Sequence, residues 1–64
     1  MNLKLKGKIV EKFGSQSRFA QVAEVDETLV SRVVHGYRKL DMDEQIRWAA
    51  ILDTDRGVLF GPEA

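Results

Sequence analysis

Residues Ser15–Arg38 read SQSRFAQVAEVDETLVSRVVHGYR, two amphipathic segments separated by a short break. Ser15 is a good N-cap, and Phe19, Ala20, Val22 and Ala23 supply the inward face of the helix it opens. The apolar pattern changes at Val25-Asp26. Asp26 suits the cap of a second segment, and Glu27 in its first turn suits the positive helix end. Val30, Val33 and Val34 then form an inward stripe, and Gly36 is a stop signal. Two helices joined by about three residues make a tight helix-turn-helix. In that arrangement Ala20 lies at the crossing, where a small side chain permits close approach, and Val25 plugs the core beneath the turn. The outward face of the second helix, about residues 27–35, displays Glu27, Thr28, Ser31, Arg32 and His35.

The flanking sequence extends the same class. Leu5, Ile9 and Phe13 recur every fourth residue among lysines, the stripe of a helix that Gly14 would end. The opening Leu3-Lys4-Leu5-Lys6 also alternates like a strand, which leaves the start of this helix open. Beyond Gly36, residues 37–40 read as a connection. Asp41 and Glu44 match a capping box for a helix from about Met42 to Leu52, with Ile46, Ala49, Ala50 and Leu52 inward. Trp48 has two readings, a core residue or the anchor of a dimer interface, where aromatics are enriched. Thr54 or Asp55 suits the cap of a last turn carrying Val58, Leu59 and Phe60, ended by Gly61-Pro62. The expected architecture is all-α, four or five helices in a single domain over residues 1–64.

Composition narrows the function classes. A chain of 64 residues buries only about 60% of its unfolded surface, so its stability margin is thin. It has no cysteine, which removes disulfides and thiolate metal sites. An apolar content of 44% with 31% charged residues suits a globular domain rather than a disordered tail. No apolar run approaches the ~20 residues that cross a bilayer, and Met-Asn-Leu-Lys-Leu-Lys is not followed by a signal core. The expected location is therefore the cytoplasm, at the nucleoid, with no membrane partner. Formal net charge is zero, but it is unevenly spread. Residues 1–40 hold eight of the ten Lys and Arg against four acids, a balance of +4, and residues 41–64 hold two against six, a balance of −4. Such asymmetry hints at a basic binding face, and equally describes a solvated surface of uneven sign.

Ser15 to Ala23, followed by Val25 to Arg38, resembles the lambda-repressor-like family of phage Cro and repressor proteins, the Xre type. The matching positions are Gln16, Phe19-Ala20, Val25-Asp26, Val30-Ser31-Arg32, and Gly36 with Arg38. The resemblance continues through the Asp41–Leu52 segment and Val58-Leu59-Phe60. It implies a sequence-specific regulator of transcription, from a phage or prophage, that binds double-stranded operator DNA as a homodimer. It implies DNA contacts from Gln16, Ser17, Glu27, Thr28, Ser31, Arg32, His35, Arg38 and Lys39. Two features depart from the family pattern: Glu24 stands where the turn usually has glycine, and the net charge is low.

Each role has a plainer counterpart. Gln16 would touch a phosphate or buttress a base-reading side chain, and is otherwise an ordinary first-turn residue. Glu27 and Thr28 would reach base edges, Glu accepting from cytosine N4 and Thr touching a thymine methyl. Glu27 is equally suited to the helix dipole alone. Ser31 and Arg32 lie one turn on. Arg32 would read guanine, and would otherwise pair with Glu27 or Asp26. Arg38 and Lys39 would grip phosphates, and Lys6, Lys8 and Lys12 would extend the footprint or simply be solvated. His35 is the one histidine and reads as a groove-edge or surface residue. No phosphate-cradling glycine loop, metal cluster or paired acid and base is visible, so neither an enzyme, a cofactor nor a small-molecule substrate is expected. Two other functions stay open: an antitoxin or restriction-controller regulator of the same fold, and a protein-interaction module that has lost DNA binding.

Overall fold

Asn2 starts the first helix, and the reason is local. Its side-chain oxygen accepts from the Leu5 N–H at 3.0 Å, the N-cap arrangement that satisfies one of the free donors of a helix start. The computed structural model describes residues 1–61, and among them are five helices and no strand: α1 Leu3–Phe13, α2 Gln16–Ala23, α3 Glu27–His35, α4 Met42–Ile51 and α5 Arg56–Leu59. The strand-like alternation at Leu3–Lys6 is thus overruled by the cap, and those residues form the first turns of α1. Pro62, expected to follow the last helix, lies outside the described residues. Gly61, at φ 64°, is inside them.

The breaks between helices follow the chemistry of their end residues. Gly14 follows α1 in the left-handed region, its N–H donating to the Val10 carbonyl. Ser15 caps α2 by accepting from Arg18 N–H at 3.2 Å. Asp41 and Glu44 form the reciprocal capping box of α4, and Asp55, rather than Thr54, caps α5. Asp26 departs from expectation. Its carbonyl accepts from Leu29 and Val30, but its carboxylate makes no cap hydrogen bond.

Three residues, Glu24 to Asp26, join α2 to α3. Glu24 adopts φ 59°, ψ 42°. Its N–H donates to the Gln21 carbonyl, and the next N–H, of Val25, reaches back to the Ala20 carbonyl at 3.0 Å. That pair of bonds is a Schellman ending, and Val25, partly buried against the core, supplies its usual hydrophobic contact. The conformation suits glycine, and an L side chain in it costs about 1 kcal/mol. The Glu24 carboxylate sits 3.5 Å from Arg47, but both side chains are largely exposed, so this pair offsets little of the strain. Glu24→Gly is therefore expected to raise stability by about 0.5–1 kcal/mol, moving the thermal midpoint up by roughly 2–8 °C. A midpoint below the parent's would show that the turn carries no strain.

The core gathers Leu5 and Ile9 of α1, Phe19, Ala20 and Ala23 of α2, Val30, Val33 and Val34 of α3, Trp48 and Ala49 of α4, and Leu40, Leu52, Leu59 and Phe60. Trp48 is 1% exposed, and its ring meets Phe19 edge-on with centroids 5.0 Å apart. The dimer-anchor reading of Trp48 falls with that contact. The inward face of α4 also differs from expectation. Ile46 and Ala50 are exposed, whereas Gln45 is buried. A buried amide needs partners, and Gln45 has two: its Nε2 donates to the Leu40 carbonyl at 3.0 Å, and its Oε1 accepts from Arg56 at 2.8 Å. Gln45, Trp48, Ala49 and Leu52 recur at helical spacing as the buried stripe, which leaves Ile46 outside it. Val22, also expected inside, is about half exposed. No helix among the described residues is long and apolar enough to cross a membrane.

Candidate nucleic-acid interface

Helix α3 presents two contrasting faces. Val30 and Val34 are fully buried and Val33 nearly so. Residues 27, 28, 31, 32 and 35 recur at helical spacing on the other side. Together with Gln16, the first residue of α2, they line one open hollow of about 610 Å³. Six of the nine residues expected to touch a partner are thus gathered in one place. Glu27, Thr28, Arg32 and His35 are exposed, and Gln16 and Ser31 are half-buried.

The packing under this face is what holds it still. α3 rests on α1 and α2, and the N-terminus adds a fixed point. The Asn2 N–H donates to the Val34 carbonyl at 2.6 Å, and the Asn2 side-chain amide donates to the Leu59 carbonyl at 2.7 Å. The last turn of α3 is therefore tied to both the start of α1 and the end of α5.

The other three expected residues lie elsewhere. Ser17 faces a separate hollow with Lys12, Arg18 and Gln21. Arg38 and Lys39 border a smaller, more enclosed one of about 150 Å³ beside Gly36, Leu40 and Phe60. Tyr37 is the residue that the sequence reading passed over as mere connection. It lines the same hollow as those six residues and is 83% exposed. Its position follows from the end of α3. Gly36 takes φ 87°, and the Tyr37 N–H donates to the Arg32 carbonyl at 2.8 Å, again the Schellman pattern. The usual partner of that pattern is a buried apolar contact. Here the ring instead stacks on His35, centroids 6.2 Å and planes 12° apart. A large aromatic directly after a helix-stop glycine was the available signal.

Charge in the hollow is mixed, one acid (Glu27) with Arg32 and His35. The ion pairs among the described residues are Lys8–Glu11 and Glu24–Arg47. Arg32 is in neither, so the alternative pairing with Glu27 or Asp26 is not formed and its guanidinium is available to a partner. Lys8 is the one footprint lysine engaged with an acid. The site can offer hydrogen bonds of both senses: acceptors from Glu27, donors from Arg32, and either from Gln16, Thr28, Ser31 and Tyr37. Compared with models of known protein families, with curated proteins and with solved structures, the chain matches none.

Proposed function

We propose that this chain is a sequence-specific regulator that binds double-stranded operator DNA as a homodimer, in the manner of phage Cro and repressor proteins. The observation that carries the reading is the open hollow along α3 and the start of α2, lined by Gln16, Glu27, Thr28, Ser31, Arg32 and His35. α2, the three-residue turn and α3 act as a helix-turn-helix, with α3 in the major groove. A groove about 12 Å wide admits one α-helix, and its base edges are read by the N-terminal half of that helix. Size supports the dimer. The longest Cα extent of the domain is 26 Å, so two copies fit side by side on half-sites about 34 Å apart. A regulator in an antitoxin or restriction circuit would use the same surface. The reading as a protein-interaction module draws on Glu27, an acid on the very face that would meet phosphates.

Arg32 and Arg38 have different jobs in this reading. Arg32, in the hollow, reads a base. Arg38, exposed beyond Gly36, holds the backbone. The test selects bound sequences from random duplexes, then measures Arg32→Ala and Arg38→Ala on the selected operator, its single-base variants and random DNA. Arg32→Ala is expected to cost about 1–3 kcal/mol and to relax choice at one position of each half-site. Arg38→Ala is expected to weaken all duplexes alike and to lower the salt slope by about one per contact. Equal weakening of every duplex by Arg32→Ala would make it a phosphate contact. If neither variant changes binding, this face does not meet DNA and the interaction-module reading takes its place.

A further inference from the structure

His35 ends α3, and its ring is held in a definite state. Nδ1 lies 2.8 Å from the Ser31 carbonyl oxygen. A carbonyl oxygen only accepts, so Nδ1 donates and carries a proton. The Ser31 hydroxyl adds a longer contact to the same nitrogen at 3.4 Å, and Tyr37 stacks on the ring and fixes its plane. Nε2 is the remaining nitrogen. In the neutral ring it is then a bare acceptor, and only the imidazolium makes it a donor. A phosphate oxygen also only accepts. A neutral His35 therefore opposes a phosphate at Nε2, and a protonated one binds it.

The surroundings suit a cation that meets an anion. The C-terminal end of a helix favours positive charge. From α3 the charged groups sharing the hollow are Arg32 and, two turns back, Glu27; α2 contributes the uncharged Gln16, and the connection contributes Tyr37. Arg38 and Lys39 follow directly in the chain, both exposed. Glu27 is eight residues from His35 along α3, about 12 Å at the helical rise. The opposite charge missing at this end of the helix is the one a DNA backbone supplies.

We propose that His35 is a proton-linked phosphate contact: binding of duplex DNA takes up one proton from solvent at Nε2, and the resulting N–H donates to a phosphate oxygen. This rests on the DNA-binding reading above. Because the bound state holds the extra proton, affinity rises as pH falls and declines as pH rises. Imidazole is the side chain whose charge changes across about pH 5–8, and this chain has a single histidine, so the effect has one side-chain source.

The experiment measures binding of a random-sequence duplex of about 20 base pairs by fluorescence anisotropy, at constant ionic strength, across the imidazole range of about pH 5.5–8. The parent is expected to lose affinity with rising pH, by up to about tenfold per pH unit for each ring engaged. His35→Gln is expected to bind with a flat profile, and His35→Lys, with its fixed charge, to bind tightly and flatly. Thermal melts of both variants check that the fold is kept. A parent that binds DNA without pH dependence overturns the proposal, and so does a parent slope that survives in His35→Gln. A parent that binds no duplex at any pH removes the DNA-binding reading itself, a result distinct from both.

Discussion

Raising salt from about 50 to 200 mM should weaken duplex binding by roughly 10³–10⁵, if the dimer makes about 6–10 phosphate contacts. The physical cause is release of the counterions condensed on DNA when side-chain cations replace them. The sequence places eight of its ten Lys and Arg in residues 1–40. In the structure Lys4, Lys6, Lys12, Arg18, Arg32, Arg38 and Lys39 of that segment are exposed, and none of these seven is in an ion pair among the described residues. Cations with no protein partner break no ion pair on turning to phosphate, so zero net charge over the whole chain does not forbid a steep slope. The six acids of residues 41–64 begin with Asp41, Asp43 and Glu44 at the start of α4, outside the hollow. A salt titration on a random duplex measures the slope. A flat titration, or no binding even at low salt, would end the DNA reading and leave the surface to a protein partner.

Ala20→Glu should abolish folding at room temperature. Ala20 is 3% exposed, between the fully buried Phe19 and the fully buried Ala23, on the helix that touches α1, α3 and α4. A glutamate there overpacks the hydrophobic cluster that holds Ala20 and buries a charge in it, and each effect alone costs a few kcal/mol. A single core in a domain of this size rarely supplies more than about 3–5 kcal/mol in total. The loss therefore consumes the whole margin. Val22→Glu provides the contrast on the same helix. Val22 is 53% exposed, so that variant should melt within about 0.5 kcal/mol of the parent. Circular dichroism melts of both variants distinguish a buried position from a general intolerance of α2. An Ala20→Glu melt like the parent's would mean that α2 does not pack as described.

Much of this fold was legible because its punctuation is local. Gly14, Ser15 and Gly36 mark helix boundaries by their own conformational preferences, and Asp41 with Glu44 marks the start of α4. The expected span of about 27–35 coincides with α3, Glu27–His35. The face of α3 was legible for the same reason, since helical spacing alone separates Val30, Val33 and Val34 from Thr28, Ser31, Arg32 and His35. What escaped depends on contacts distant in sequence. Gln45 is absent from the expected inward face of α4 because its partner Arg56 is eleven positions away, and Ile46 stands in that face in its place. Trp48 stayed ambiguous until Phe19 was found against it. Tyr37 escaped because the Gly36 turn, not hydrophobic periodicity, sets where its ring goes. Ser17, Arg38 and Lys39 share chemistry with the hollow but not its location.

The bonds of Asn2 to Val34 and Leu59 also bear on how the domain assembles. Asn2 and Leu59 are 57 residues apart, so this contact draws nearly the whole described chain into one ring. Loop-closure entropy rises only as about (3/2)RT ln n, so closing so long a ring costs little more than closing one of half the length. Contacts of such separation weigh on folding rate more than on stability, because the closure entropy is paid before the contact rewards it. The surface offered by α3 is thus completed by the closure that joins the two ends. Its rigidity belongs to the cooperative unit as a whole, not to a helix that could be excised with its shape intact.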